Sequence, residues 1–280
     1  MKAKMKTYLH HPGSLVILIL TILSAVITVA ALGSLVVYIL VKGVPHLTPQ
    51  LFAWTYNSDN VSMLPALINT LLLTVLAILI AGPLGIFAAI YMVEYAKKGN
   101  KIVGLVRVTA ETLSGIPSIV YGLFGMLFFC GALHMGYSLI SGALTVAIMV
   151  LPTIMRTSEE ALLAVPKSYR EGSFGLGAGK LRTVFRTVLP SAVPGILAGV
   201  ILAVGRIVGE TAALIYTAGS VAQIPKSVMG SGRTLAVHMY HLSSEGLYMD
   251  QAYATAVVLL LIVLLINAVS SFIAKRITKG

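Results

Sequence analysis

The sequence predicts an all-α integral membrane protein with six transmembrane helices and both termini cytoplasmic. Three observations carry this prediction. Hydrophobic residues make up 58% of the 280 and charged residues only 10%, against roughly 25% charged in a soluble domain. Uncharged runs long enough for a span recur, and a span needs about 20 apolar residues. The basic residues between those runs alternate in density, as the positive-inside rule requires.

The elements follow in order. Residues 14–41 carry no charge and form span one. The run exceeds the roughly 7–15-residue core of a signal peptide, and no small-residue cleavage site lies close behind it, so it reads as a retained anchor. The external segment 42–60 holds Pro45, Pro49 and Trp54, an aromatic suited to the membrane interface. Residues 1–63 thus form a tail, one span and an external segment, and 64–280 form the rest. Span two lies in 61–93 and contains Gly82-Pro83; span three, 112–136, contains Ser114-Gly115-Ile116-Pro117. Such breaks are tolerated where neighbouring helices satisfy the freed backbone groups, and they mark paths through a bundle. Spans four, five and six lie in 139–155, 189–205 and 252–274.

Lys2, Lys4 and Lys6 precede span one, and Lys97, Lys98, Lys101 and Arg107 lie between spans two and three. Arg156, Lys167, Arg170, Lys180, Arg182 and Arg186 lie between four and five, and Lys275, Arg276 and Lys279 follow six. All of these share one side. The other side has Lys42, Lys226 and Arg233. The net charge of +11 therefore orients the chain in lipid and does not indicate a nucleic-acid partner.

The basic loop 156–188 reads as helix, tight turn, helix. Thr157-Ser158-Glu159-Glu160 resembles a helix start. Pro166 opens a short helix over 167–174, and the glycines of 175–179 end it. Leu181, Val184, Phe185 and Val188 recur at helical spacing and lead into span five. Gly177 and Ala178 let another surface approach the backbone. Gly179-Lys180 is not a phosphate-cradling loop: Phe174 stands where the first glycine belongs and Leu181 where the hydroxyl belongs. The chain is expected to bind no nucleotide itself.

Arg206 and Glu210 fall inside span five, four residues apart, a spacing that places them on one helix face. A charge at mid-membrane costs about 2.5–3.5 kcal/mol, and an i,i+4 pair returns only about 0.2–0.5 kcal/mol. Two readings stand. One is a structural ion pair locking helices. The other is anion handling, in which the planar guanidinium takes two oxyanion oxygens. Glu210 would then accept a hydrogen bond from the proton that phosphate keeps at neutral pH and sulfate lacks, or keep Arg206 neutralised between transport events. Ser114, Ser118 and Tyr121 flank the break at Pro117 and are candidates to line the path. Thr211 and Thr217 read as helix-face packing. His238 and His241 have an i,i+3 spacing but no carboxylate or thiol directly beside them, and Glu245 reads as a solvated or partner-facing group, so no metal site is expected; Cys130 has no partner for a disulfide. The spans hold no His or Asp cluster for an intramembrane enzyme.

The basic loop resembles the EAA loop of permease subunits of binding-protein-dependent ABC importers. That motif reads Glu-Ala-Ala, three residues, Gly, nine residues, Ile, any residue, Leu-Pro. Glu171, Gly177 and Leu189-Pro190 match it, while Gly172, Ser173 and Thr187 depart from it. The resemblance implies a type I ABC importer permease fold, with Glu171, Gly172, Ser173, Gly177 and Ala178 docking on a separate ATPase subunit, which would hold the ATP and magnesium. Residues 114–125, 151–162, 206–212 and 232–235 are similar to phosphate-importer permeases, most of all the A-type, with the sister permease and permeases for other oxyanions as alternatives. It implies a bacterial plasma-membrane location, a second homologous permease and an extracytoplasmic phosphate-binding protein; the candidate anion path of Arg206, Glu210, Ser118 and Tyr121 is read from the residues themselves and not from the resemblance.

Overall fold

The structure is a computed structural model that describes residues 12–97 and 99–279. Lys2, Lys4, Lys6 and Lys98, counted above on the basic side, lie outside the described residues. The described chain is helical, with short 3-10 and π turns. Five helices are long and apolar enough to cross a membrane, and a sixth crossing exists only if one bent pair counts as a single span.

Helix α1 (Pro12–Gly43) is exposed along most of its length and rests on the last helix, α11 (Met249–Lys279). The Tyr38 and Tyr253 rings meet edge-on at 5.8 Å with their hydroxyls 3.1 Å apart. The centre is built by α2 (Leu64–Ile90) against α5 (Leu139–Ala164). Leu73, Ala77 and Ala81 of α2 meet Ala143, Val146, Val150 and Ile154 of α5, all buried. Helix α8 (Leu189–Val208) closes on α5 through small residues, because a side chain on Gly195 would strike Ala161 and one on Gly199 would strike Thr157. In lipid there is no water to expel between helices, so close backbone approach and dispersion hold them together.

Three departures from the sequence-based expectation have plain causes. The third span is not one rod: α3 (Lys101–Ser114) and α4 (Ser118–Gly125, continued by a π turn to Ala132) are bent by 103° at Gly115–Pro117. Thr157-Ser158-Glu159-Glu160 is not a helix start. It lies inside α5, which runs on to Ala164, and Ser158 and Glu159 are buried. The cap of α5 is Ser138, whose Oγ accepts from the Ser141 amide. The periodic set ahead of span five divides, with Val184 and Val188 buried and Leu181 and Phe185 exposed. It occupies α7 (Lys180–Thr183) and the π turn Val184–Val188.

At the end opposite the basic loop, residues 219–234 fold back onto α2 and lead into α10 (Leu235–Glu245). Asn69 Nδ2 donates to the carbonyls of Gln223 (3.0 Å) and Arg233 (3.2 Å), and the Leu235 amide donates to Thr70 Oγ1 (2.8 Å). The Arg233 guanidinium lies 4.6 Å from the Tyr56 ring centroid, and His238, fully buried, meets the same ring edge-on. Burial pushes His238 down to about 3, helped by Arg233 and His241 and opposed by the Val61 backbone. The unfolded chain takes up this proton below its ordinary value near 6.5 and the folded chain does not, so stability is full above that value and falls as pH drops toward the folded one. The slope is about 1.4 kcal/mol per pH unit, so about 2 kcal/mol should be lost at pH 5. Thermal unfolding in detergent should show this acid limb in the wild type and a flatter one in His238→Leu.

Candidate functional site

Two regions carry chemistry beyond packing. The first is the projection at the basic end. Helix α6 (Lys167–Gly175) starts behind Pro166 and has no buried residue. Glu171 and Gly172 are exposed and Ser173 is half-buried, its hydroxyl 2.8 Å from that of Thr183. The helix ends through Gly177, whose φ of +78° suits glycine, and the Ala178 amide closes back on the Ser173 carbonyl at 3.1 Å. A side chain added at Gly172, Gly175, Gly177 or Gly179 would meet nothing within 4 Å. These glycines are open to an incoming surface rather than buried against the chain's own atoms.

The sequence reading missed what holds this projection. Arg170 donates from Nε (3.0 Å) and Nη2 (2.6 Å) to Glu94 Oε1, at the π turn Tyr91–Tyr95 that ends α2. Its Nη1 donates to the Val165 carbonyl (2.9 Å) and its Nη2 to that of Leu162 (3.0 Å). One side chain thus binds two carbonyls at the end of α5 and clamps α6 to α2. The only local signal was the lone glutamate closing the uncharged run 61–93. Nothing in the sequence spacing tied it to a residue 76 positions away.

The second region is where two helices break against each other. Helix α8 ends at Val208, and a short helix, α9 (Ala212–Ile215), follows. Arg206 therefore stands in the last turn of α8 and Glu210 lies beyond it. The two do not share a helix face and do not form an ion pair, because the helix the spacing assumed stops at Gly209. Glu210 is buried, and its Oε1 accepts from the Ala213 amide at 3.1 Å, capping α9. Arg206 is half-buried and has neither hydrogen bond nor ion pair among the described residues. Tyr121 is buried in α4 and donates from its hydroxyl to the Leu113 carbonyl at 2.7 Å. That bond pins the bend between α3 and α4. Ser118 opens α4 one turn earlier, half-buried, with its hydroxyl unpartnered among the described residues. Ser114, by contrast, spends its hydroxyl on the Glu111 carbonyl (2.7 Å), and Thr217 spends its own on the Ala213 carbonyl (2.8 Å). Helices α4 and α9 touch backbone to backbone, since a side chain on Gly122 would come within 2.8 Å of Ala213 Cα.

Between this junction and the basic end lies a cavity of about 390 Å³ bounded by α3 and α5. Arg107 pairs with Glu159 and Arg156 with Glu160 (3.3 Å) on its walls. An anion entering there would meet guanidinium groups already paired with carboxylates.

A helical bundle with broken helices at its centre and a projecting handle at its basic end has the architecture of an ABC transporter permease of type I. The same fold is found in a chain of a bacterial alginate ABC transporter crystallised with its alginate-bound periplasmic protein, with a TM-score of 0.70 at 16% identity over 94% of this chain and 96% of that one. It is also found in the MetNI methionine ABC transporter, with a TM-score of 0.59 at 20% identity over 86% and 97%. Residues 81–280 match the family described as Binding-protein-dependent transport system inner membrane component, and the chain belongs to that family. It is 35% identical to the probable ABC transporter permease protein YqgI of Bacillus subtilis, over 92% of this chain and 93% of that protein. It is 30% identical to the phosphate transport system permease protein PstA of Pasteurella multocida, over 82% of each. It is 33% identical to PstA 1 of Mycobacterium tuberculosis strain H37Rv, over 75% and 70%.

Proposed function

We propose that this chain is one of two permease subunits of an importer for inorganic phosphate. In this reading both termini and α6 face the cytoplasm, α6 docks on a separate ATPase, and a phosphate-binding protein delivers from outside. The observation that carries the anion path is Arg206: a guanidinium with no hydrogen bond or ion pair among the described residues, at the meeting point of two broken helices. The first turn of α4 presents its positive dipole end near the same break. Glu210 holds α9 in place through the Ala213 amide, and its second oxygen offers an acceptor for a hydrogen bond donated by a protonated anion. The mixed walls of the cavity between α3 and α5 suit the inner part of the path, where exchange between carboxylates and a passing anion keeps binding weak. Similarity to relatives named as phosphate permeases supports phosphate over other oxyanions.

The test is uptake of labelled phosphate by cells carrying or lacking this gene, with unlabelled sulfate and molybdate as competitors. Uptake should fall on disruption and should resist both competitors. Inhibition by sulfate or molybdate, with phosphate uptake intact in the disrupted strain, would replace phosphate as the substrate.

A further inference from the structure

We propose that the groove between the end of α2 and the start of α3 binds one anionic phospholipid, with its phosphate held by Lys97 and Lys101. This goes beyond the transport reading and rests only on its orientation, basic end inward. The groove has a volume of about 550 Å³, and Lys97, Asn100, Lys101 and Arg107 stand around an apolar floor that includes Met92 and Val103.

Three independent features specify the occupant. The first is depth. The span formed by α2 runs out at Tyr95, and Tyr91 and Tyr95 are both exposed there, at the level where aromatic side chains meet lipid headgroups. Lys97 and Lys101 follow within two turns. The second is uncompensated charge. Glu94 is committed to Arg170 and Glu159 to Arg107. The first turn of α3 contains no acidic residue, and neither lysine ammonium has an acidic partner among the described residues. The third is the apolar continuation. Val103 and Arg107 turn toward the body of the protein, while Ile102, Leu105 and Val108 on the other side of α3 are each more than 60% exposed. A phosphodiester on the two ammonium groups at the rim of the groove would lay one acyl chain over the Met92 and Val103 floor and the other along this stripe. A free phosphate ion would leave both uncovered, and an acidic protein segment would have to enter at headgroup depth. Anionic phospholipid is the one chemistry that matches both halves of the site.

Native mass spectrometry of the assembled transporter tests this after equilibration with phosphatidylglycerol or phosphatidylcholine. The wild type should retain one phosphatidylglycerol in preference to phosphatidylcholine. Lys97→Gln with Lys101→Gln should weaken that retention by about 30-fold. The corresponding pair of arginine substitutions should keep it, and millimolar inorganic phosphate should not displace it. Equal retention of the two lipids, undiminished retention in the glutamine pair, or displacement by inorganic phosphate would each overturn the assignment. If the glutamine pair does not assemble, the lipid preference of the wild type decides by itself.

Discussion

Replacing Arg170 by alanine is expected to leave the transporter in the membrane but to cut uptake at least about tenfold, because α6, the proposed docking helix for the ATPase, loses its anchor. The reason lies in what one guanidinium holds. It binds Glu94 through two nitrogens and the Val165 and Leu162 carbonyls through the other contacts. The Glu94 side chain is only 8% exposed, so removing its partner strands a carboxylate. Breaking a buried pair from one side costs about 3–5 kcal/mol, much of it the uncompensated charge. Stability alone would not distinguish an anchor from a structural strut, and a double-mutant cycle does. In Arg170→Ala with Glu94→Ala no stranded charge remains, so thermal stability should recover toward that of the wild type. Coupling should not recover, because α6 is still free of α2. The readouts are the melting temperature of the purified complex and the phosphate moved per ATP hydrolysed in proteoliposomes. Glu94→Gln keeps an amide oxygen in place for the guanidinium and should lose much less. If the double variant regains full coupling together with its stability, Arg170 is a strut and motion reaches the bundle by another route.

How much of this was legible beforehand follows from how local each signal is. Long apolar runs announced α1, α2, α5, α8 and α11, because a span is a property of about 20 consecutive residues. The turn after α6 was legible for the same reason: Gly177 occupies a positive φ that few other residues adopt readily. The break at Gly115–Pro117 was marked by its residues. The 103° bend was not, because a proline says where a helix stops and not where the next one points. Helix α3 was hidden for a different reason. Lys101, Arg107 and Glu111 lower its mean hydropathy, and only the fold shows Arg107 turned inward to Glu159. Thr157 to Glu160 has the composition of a helix start, but that pattern does not report burial, and Ser158 and Glu159 are covered. The i,i+4 reading of Arg206 and Glu210 failed because it assumed a continuous helix, and Gly209 lies between them. The Arg170–Glu94 clamp joins elements 76 residues apart, which no local spacing encodes.

Arg206→Gln should give the cleanest separation of function from folding in the molecule. Arg206 has no hydrogen bond or ion pair among the described residues, so replacing it strands no carboxylate and opens no cavity among the core contacts. Expression and melting temperature should therefore stay near wild type, in contrast to Arg170→Ala. Uptake should not. If the guanidinium takes two oxygens of the anion, each charged hydrogen bond is worth about 1.5–3 kcal/mol, so losing both should reduce uptake by at least about 100-fold. Arg206→Lys keeps the charge but not the planar fork, and should fall between the two. Glu210→Gln keeps an oxygen for the Ala213 amide and so should keep α9, while removing the acceptor for a proton on the anion. Its expected effect is on selectivity, with phosphate losing its advantage over sulfate. Labelled-phosphate uptake across these three variants, normalised to protein in the membrane, is the measurement. Wild-type uptake by Arg206→Gln at normal expression would remove Arg206 from the anion path, and the broken junction would then have to be explained as a hinge alone.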